Sequence, residues 1–152
     1  MGVTHTAETY REAALEHASL AWRLHHESCQ YAPAHYWAGL AVECMLRAYR
    51  LGHQPGFDSR HDLAELARDS RFYDYVPSRQ AREVAAAMLE VVVRWRNDLR
   101  FRPERMVRRW LHQAGIDRHV RGDRLKRSSS VMVGAALTIV QIGDRRWPFS
   151  KS

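Results

Sequence analysis

Residues 33–52, PAHYWAGLAVECMLRAYRLG, carry the clearest helical pattern in the chain. Apolar side chains recur at intervals of three and four residues, which places them on one face of an α-helix. Pro33 suits the first turn of that helix, and Gly52 is typical of a helix end. We therefore predict a long amphipathic helix here. Its apolar face comprises Trp37, Leu40, Ala41, Cys44, Ala48 and Leu51.

The two ends of the chain follow the same periodicity. A helix is predicted over 6–28, with Thr6 as the residue that caps its N-terminus. A mostly basic helix is predicted over 104–114, and a last helix over 123–142, which ends at Gly143. No stretch alternates apolar and polar residues as a half-buried strand would.

Two further helices are predicted in the middle of the chain. A short one is capped by Asp58 or Ser59 and continues to Arg68, and a long one begins at Pro77 and Ser78. We therefore predict an all-α fold, a small antiparallel helical bundle of four to five long helices plus one short helix. The apolar face of the helix that begins at Pro77 comprises Val84, Met88, Val91, Trp95 and Leu99.

Length and composition limit the class of protein. The 152 residues suit a single domain over 1–152, and 45% hydrophobic with 27% charged residues is ordinary for a globular protein. No apolar run approaches the roughly 20 residues that cross a bilayer, and the N-terminus lacks the basic and apolar regions of a secretory signal. We therefore expect a cytoplasmic protein that does not enter a membrane. Cys29 and Cys44 are expected to be buried, reduced thiols, because they form no C-x-x-C pair.

Positive charge is concentrated in one segment. The chain has 24 Lys and Arg against 17 Asp and Glu, a net charge of +7. Residues 94–127 contain eleven Arg and one Lys against four acidic residues, so the rest of the chain is close to neutral. Arginine presents a planar fork of donors that suits phosphate, and the clustering favours contact with RNA or a nucleotide. A compositional preference for Arg over Lys would explain the residue type but not the clustering.

Four segments share the order of motifs found in a known superfamily. Residues 34–48, AHYWAGLAVECMLRA, combine small residues with Ala-x-Glu and Leu-Arg-Ala. They are followed by Arg-His-Asp-Leu at 60–63, WRNDLRF at 95–101 and a closing helix at 121–147. Together these segments resemble the HEPN superfamily over residues 8–147.

The resemblance implies a small dimeric helical bundle. Many relatives are metal-independent endoribonucleases, or toxin partners of a minimal nucleotidyltransferase. The catalytic pattern of the superfamily is Arg, a polar residue, and then His after four to six intervening residues. Arg96 and Asn97 match its first two positions. Phe101, Arg102 and Pro103 occupy the positions open to His, and none of them transfers a proton near neutral pH.

Another histidine is a candidate for the missing base. Arg105 and His112 have the spacing of the superfamily and lie in the Arg-rich segment, so His112 is the candidate that we retain. The other pairs with this spacing, which we interpret as surface pairs, are Arg11 with His17 and Arg47 with His53.

Glu43 and Arg96 each lie at the flank of the apolar stripe of their helix. Flanks of neighbouring helices meet in a bundle, so we favour an ion pair in which Glu43 orients Arg96 towards phosphate. A local pair between Glu43 and Arg47 is the alternative. The arginines expected to bind phosphate or nucleic acid are Arg96, Arg100, Arg102, Arg105, Arg108 and Arg109.

Three functions remain open at this point. We favour a HEPN-like module with little or no catalytic activity, which binds RNA, a nucleotide or a protein partner in a toxin–antitoxin or defence-type system. The alternatives are an endoribonuclease with His112 as an atypical base, and a purely structural dimeric partner. No cofactor and no metal are expected, since no phosphate-binding loop or full set of metal ligands is visible. The aromatic residues expected in the core are Trp22, Tyr36, Trp37 and Trp95.

The last predicted helix carries two apolar stripes. Such a wide apolar surface needs partners beyond one neighbouring helix, so we expect a twofold-symmetric homodimer. One stripe comprises Met132, Ala136 and Ile139, and the other Val133, Leu137 and Val140.

Overall fold

The computed structural model describes residues 5–56 and 62–149, and within these ranges all regular structure is helical. The predicted all-α bundle is therefore confirmed. The α-helices are α1 (Ala7–His26), α2 (Tyr31–His53), α3 (Leu63–Asp69), α4 (Ala81–Arg94), α5 (Glu104–Gln113) and α6 (Arg124–Arg145). Short 3₁₀ turns occupy Phe72–Tyr75, Ser78–Gln80 and Asn97–Phe101. None of the described helices has both the length and the apolarity needed to cross a bilayer.

Helix α2 is the centre of the bundle. Helix α1 packs along it, and α6 contacts α1, α2 and α4. Ala14, Ala18 and Ala21 recur at helical spacing on the buried face of α1, and their small side chains let α1 approach α2 closely. The turn between the two helices is short, which makes them antiparallel neighbours.

The N-termini of α1 and α3 are capped by side chains. Thr6 caps α1 as predicted and accepts a hydrogen bond from the Thr9 N–H at 3.1 Å. The cap of α3 is Asp62, whose carboxylate accepts from the Glu65 N–H at 3.1 Å. The predicted caps, Asp58 and Ser59, lie outside the described residues.

Helix α4 ends at Arg94, earlier than the apolar spacing predicts. Trp95 and Arg96 adopt extended backbone conformations. The indole of Trp95 then lies against Gly39 of α2, where a Cβ atom would overlap the ring, and its Nε1–H donates to the Tyr36 carbonyl at 3.0 Å. This tertiary contact stops the helix, so Leu99 reaches the core from a 3₁₀ turn instead.

Helix α6 continues through Gly143 to Arg145, so the predicted end at Gly143 is wrong. A Cβ atom at Gly143 would lie 2.7 Å from Cγ of Met45, and the Gly143 carbonyl accepts a hydrogen bond from the Tyr49 hydroxyl at 2.7 Å. The glycine therefore serves the close approach of α6 to α2 rather than the end of a helix.

Both apolar stripes of α6 are covered by the chain itself. Met132, Val133, Ile139 and Val140 are at most 2% exposed, and Leu137 is partly buried. The width of the apolar surface follows from the position of α6 among α1, α2 and α4. The two stripes therefore give no reason to expect a second subunit.

Candidate cationic surface

The Arg-rich segment 94–127 spans the end of α4, a 3₁₀ turn, α5, the connection 114–123 and the start of α6. Helix α5 buries Val107 and Leu111 and turns its basic side chains outwards. Its position next to α6 brings the predicted phosphate-binding residues of α5 close to the basic first turn of α6.

Arg96 and Asn97 lie at the rim of a groove of about 540 Å³ that Val92 and Trp95 also line. The Arg96 side chain is 54% exposed, and its Nε donates to Asp98 at 3.1 Å. Arg102 holds the other oxygen of the same carboxylate at 2.9 Å. Asp98 therefore partly neutralises two of the predicted phosphate-binding residues.

Arg108 of α5 is also neutralised. It donates to Asp123, the N-cap of α6, at 2.7 Å, and it lies 3.6 Å from Glu104. Its pairing with Asp123 raises the pKa of Arg108 and lowers the pKa of Asp123 below its usual range. Arg105 and Arg109 have no such partner and are exposed beside it.

The remaining cations have no carboxylate within 4.0 Å among the described residues. All four carboxylates of the segment bind arginines elsewhere, because the fourth, Asp117, is held by Arg94. Arg124 links three parts of this surface, because it lies 3.0 Å from His112 of α5 and donates to the Arg118 carbonyl of the connection 114–123 at 3.2 Å. We call this set the cationic cluster: Arg105, Arg109, Arg118, Arg121, Arg124, Lys126 and Arg127.

His112 is poorly placed to act as a base. A guanidinium only donates, so Nδ1 of His112 accepts from Nη1 of Arg124, and the neutral ring carries its proton on Nε2. No free lone pair then remains to take a proton from a substrate. His112 also does not line the groove of Arg96 and Asn97. Phe101, at the position open to histidine, is 72% exposed.

The predicted ion pair between Glu43 and Arg96 does not form. Glu43 is buried on α2 and lies 3.7 Å from Arg47, one helical turn away. Arg96 instead points to Asp98. The reason is the end of α4 at Arg94, which takes Arg96 off the helix flank that the pairing assumed.

A buried polar seam, formed by Arg94, Asp117, Ser128 and His35, is absent from the sequence-based predictions. Arg94 donates two hydrogen bonds to Asp117, at 2.5 and 2.9 Å, and a third to Ser128 at 3.2 Å. Nε2 of His35 lies 2.8 Å from the same serine oxygen. Burial opposes the charge of Arg94, but hydrogen bonds to Asp117 and Glu90 raise its pKa overall, while Arg94 lowers the pKa of Asp117.

The seam continues on α1, where Nδ1 of His25 lies 2.8 Å from Ser129. The sequence does contain a signal for this seam, namely two consecutive serines inside the apolar stripe of α6. Their hydroxyls are buried there and therefore need hydrogen-bond partners. Their partners lie about a hundred residues away in sequence. Nδ1 of His35 has no protein partner among the described residues.

Predicted burial is only partly confirmed for the thiols and for the aromatic residues. Cys44 is buried, whereas Cys29 is exposed. Trp95 and Tyr36 are buried, at 5% and 9% exposure. Trp37 is half-buried and lines a second groove, and Trp22 is 41% exposed. The described residues contain no group of three or more His, Cys, Asp or Glu side chains that could hold a metal ion.

The fold and this surface define an all-helical domain with a buried polar seam and a cluster of unpaired surface cations. Comparison with family models, with curated proteins and with solved structures gave no match to this chain.

Proposed function

We propose that this chain is a HEPN-like helical module that binds RNA through the cationic cluster, in a toxin–antitoxin or defence-type system. The observation that carries the proposal is the set of cations without a carboxylate neighbour on α5, the connection 114–123 and the first turns of α6. Like charges held together repel one another, and an anion between them relieves the repulsion. A phosphate backbone supplies such anions at regular intervals.

Salt dependence tests the proposal directly. We expect fluorescence anisotropy of labelled single-stranded RNA to show affinity that falls steeply between about 50 and 200 mM salt. Each lost phosphate contact flattens the logarithmic slope by about 0.7, so Arg105→Gln with Arg109→Gln is expected to flatten it by about 1.4. The control, Arg79→Gln with Arg82→Gln, removes the same charge from exposed residues around the start of α4.

An unchanged slope and affinity in the α5 double variant would show that the cluster is only a solvated face. Arg108→Gln is expected to have a smaller effect than either α5 substitution, because Asp123 and Glu104 already neutralise Arg108.

The proposed module has little or no ribonuclease activity. Arg96 and Asn97 provide the first part of the catalytic pattern, but general acid–base assistance, typically worth 10²- to 10⁴-fold, has no evident source. The competing function is an endoribonuclease that uses His112. Rapid RNA cleavage in EDTA, abolished by His112→Ala, would establish that function and contradict the module.

We also propose that the module is a homodimer that pairs through α4. Leu89 and Val93 are 64% and 53% exposed on one face of this helix, next to Ala85 and across a groove from Tyr73. Light scattering at micromolar concentration is expected to give twice the monomer mass of 17.7 kDa. Leu89→Lys should give monomers, whereas Met106→Lys, at an exposed apolar residue of α5, should not. Monomers alone in the wild type would contradict the proposal.

The resemblance further implies a cytoplasmic location and a nucleotidyltransferase-type protein partner. Co-expression with the product of an adjacent nucleotidyltransferase reading frame, followed by size-exclusion chromatography, is expected to give a joint peak. Separate elution of the two proteins at micromolar concentration would argue against this partner.

A further inference from the structure

A second groove, of about 510 Å³, lies between the start of α2 and the segment that links α4 to α5. Tyr31, Tyr36 and Trp37 form its aromatic side, and Arg100 and Arg102 belong to the opposite side. Its volume is within the range of roughly 300–1,000 Å³ that small-molecule sites occupy. This groove is separate from the one lined by Arg96 and Asn97.

The aromatic side is held rigidly. Tyr36 stacks on Trp95, with ring centroids 5.9 Å apart and an interplanar angle of 29°, and Trp37 meets Tyr36 edge to face. Trp37 also contacts His17 at 4.8 Å. Tyr31 and Trp37 are only half-buried, so part of each side chain remains open to a ligand. Aromatic rings fixed in this way can stack a planar ligand with little loss of side-chain entropy.

The opposite side supplies a cation. Arg100 is exposed and has no carboxylate within 4.0 Å among the described residues; its guanidinium lies 4.4 Å from the centre of the Phe101 ring. Arg102 is bound to Asp98, and the Glu104 carboxylate, which also lines the groove, lies 3.6 Å from Arg108. Arg100 hydrogen-bonds to the Tyr36 hydroxyl but has no carboxylate partner, so it is the guanidinium in this groove whose charge is not neutralised.

The start of α2 favours an anion as well. Gln30 makes no side-chain cap to this helix, and the first turn of α2 contains no acidic residue. The positive end of the helix dipole therefore faces the groove without a neutralising group of its own helix. Lys126 adds a further positive charge, 5.9 Å from the centre of the Tyr31 ring.

We propose that this groove binds one unpaired nucleotide, with its base stacked on Tyr31 and Trp37 and its phosphate bonded to Arg100. A planar ring next to a single phosphate matches an aromatic surface next to one guanidinium that has no carboxylate partner. A base paired within a duplex does not offer its face, so the groove selects single-stranded RNA or a free nucleotide. The inference rests on the proposed function where the source is RNA, because the cationic cluster would then hold the adjoining backbone.

The test compares two labelled probes in anisotropy titrations: a short oligoadenylate, and an abasic ribose-phosphate oligomer of equal length. Wild-type protein is expected to bind the oligoadenylate about 5- to 100-fold more tightly, which is the usual contribution of one stacked base. Tyr31→Leu should abolish most of this ratio, and Tyr31→Phe should retain it. Trp22→Leu, at an exposed aromatic residue outside the groove, is the control. Circular dichroism establishes that each variant is folded.

The outcomes separate the groove from the cationic cluster. Equal affinity for both probes in the wild type, or a ratio that Tyr31→Leu leaves intact, overturns the groove proposal while salt-dependent binding by the cluster stands. A base-dependent ratio that persists when Arg105 and Arg109 are replaced supports the groove even if the cluster fails. Displacement of the oligoadenylate by adenosine monophosphate identifies the free nucleotide as a ligand, and lack of displacement with an intact ratio identifies the RNA strand.

Discussion

Acid is expected to destabilise this fold through His35. The ring is completely buried, and burial together with the nearby Arg94 charge lowers its pKa from 6.5 to about 3. Asp117 partly offsets this shift. In the unfolded chain the ring has its ordinary pKa, about 6.5. Between these two values the unfolded chain binds a proton that the folded protein excludes, so this contribution to stability is intact above about pH 6.5 and is lost progressively towards pH 3.

The magnitude follows from the size of this window. Each pH unit within it lowers the free energy of unfolding by about 1.4 kcal/mol. The unfolded ring is already half protonated at about pH 6.5, so a change from there to about pH 4.5 removes about 2.3 kcal/mol, a large part of the 5–15 kcal/mol typical of a domain. Asp117 contributes little in this range, because its stabilising effect is lost only as the pH falls through the ordinary pKa of an unfolded aspartate, about 3.9, towards its lowered folded value.

Urea unfolding at both pH values measures the effect. His35→Gln keeps a polar atom near the position of Nε2 without titrating, so its loss of stability between the two pH values should be about 2–3 kcal/mol smaller than that of the wild type. His17 and His25 also have pKa values that burial lowers. Both residues are present in wild type and variant, so their contributions to the pH dependence cancel in the comparison. His112→Gln, at an exposed ring, is the control.

Equal pH dependence in wild type and His35→Gln would refute this account of His35. If the variant fails to fold, a proton NMR titration of the wild-type protein decides. The His35 ring resonances should not shift between about pH 7 and pH 4.5, and a midpoint inside this range would show that the seam admits a proton.

Two further pairs of substitutions test the fold and the chemistry. Gly39→Ala is expected to lower the free energy of unfolding by about 1–3 kcal/mol, because the added Cβ overlaps the Trp95 indole. Gly134→Ala has open space at its Cβ and should raise the free energy of unfolding by up to about 1 kcal/mol. Equal urea midpoints for the two variants would contradict this expectation. Phe101→His restores the spacing of the superfamily at an exposed residue and is expected to give metal-independent cleavage of labelled RNA in EDTA. His112→Ala should change neither background cleavage nor this gain, and no gain with Phe101→His would show that spacing alone does not complete a site.

Local patterns were sufficient for most of the helices. The spacing of small and apolar residues predicted α1 and α2 to within a few residues, and Thr6 was correctly assigned as a cap, because both depend on neighbours within one or two turns. The ends of α4 and α6 could not be predicted in this way. These ends depend on contacts between residues far apart in sequence. Gly39 leaves room for the Trp95 ring, 56 residues later, and Gly143 leaves room for Met45 of α2.

The location of the cationic surface was predictable, but the state of its arginines was not. Eleven arginines in one segment are visible in the sequence, whereas neutralisation depends on pairs that only the fold brings together. Arg94 meets Asp117 across 23 positions and Arg108 meets Asp123 across 15. Such pairs distinguish Arg108, which is held, from Arg105 and Arg109, which are free.

The buried seam and the cationic cluster are physically connected. The connection 114–123 carries two cations of the cluster and turns through left-handed backbone at Gly115, Asp117 and Gly122, with φ of 69°, 53° and 96°. A non-glycine residue in this region needs a fixed environment, and Asp117 has one in its two hydrogen bonds from Arg94. The pair between Arg94 and Asp117 therefore takes no charge away from the cationic cluster. Arg94 fixes the loop that carries Arg118 beside α6, so the phosphate contact proposed for this loop has less conformational entropy to lose.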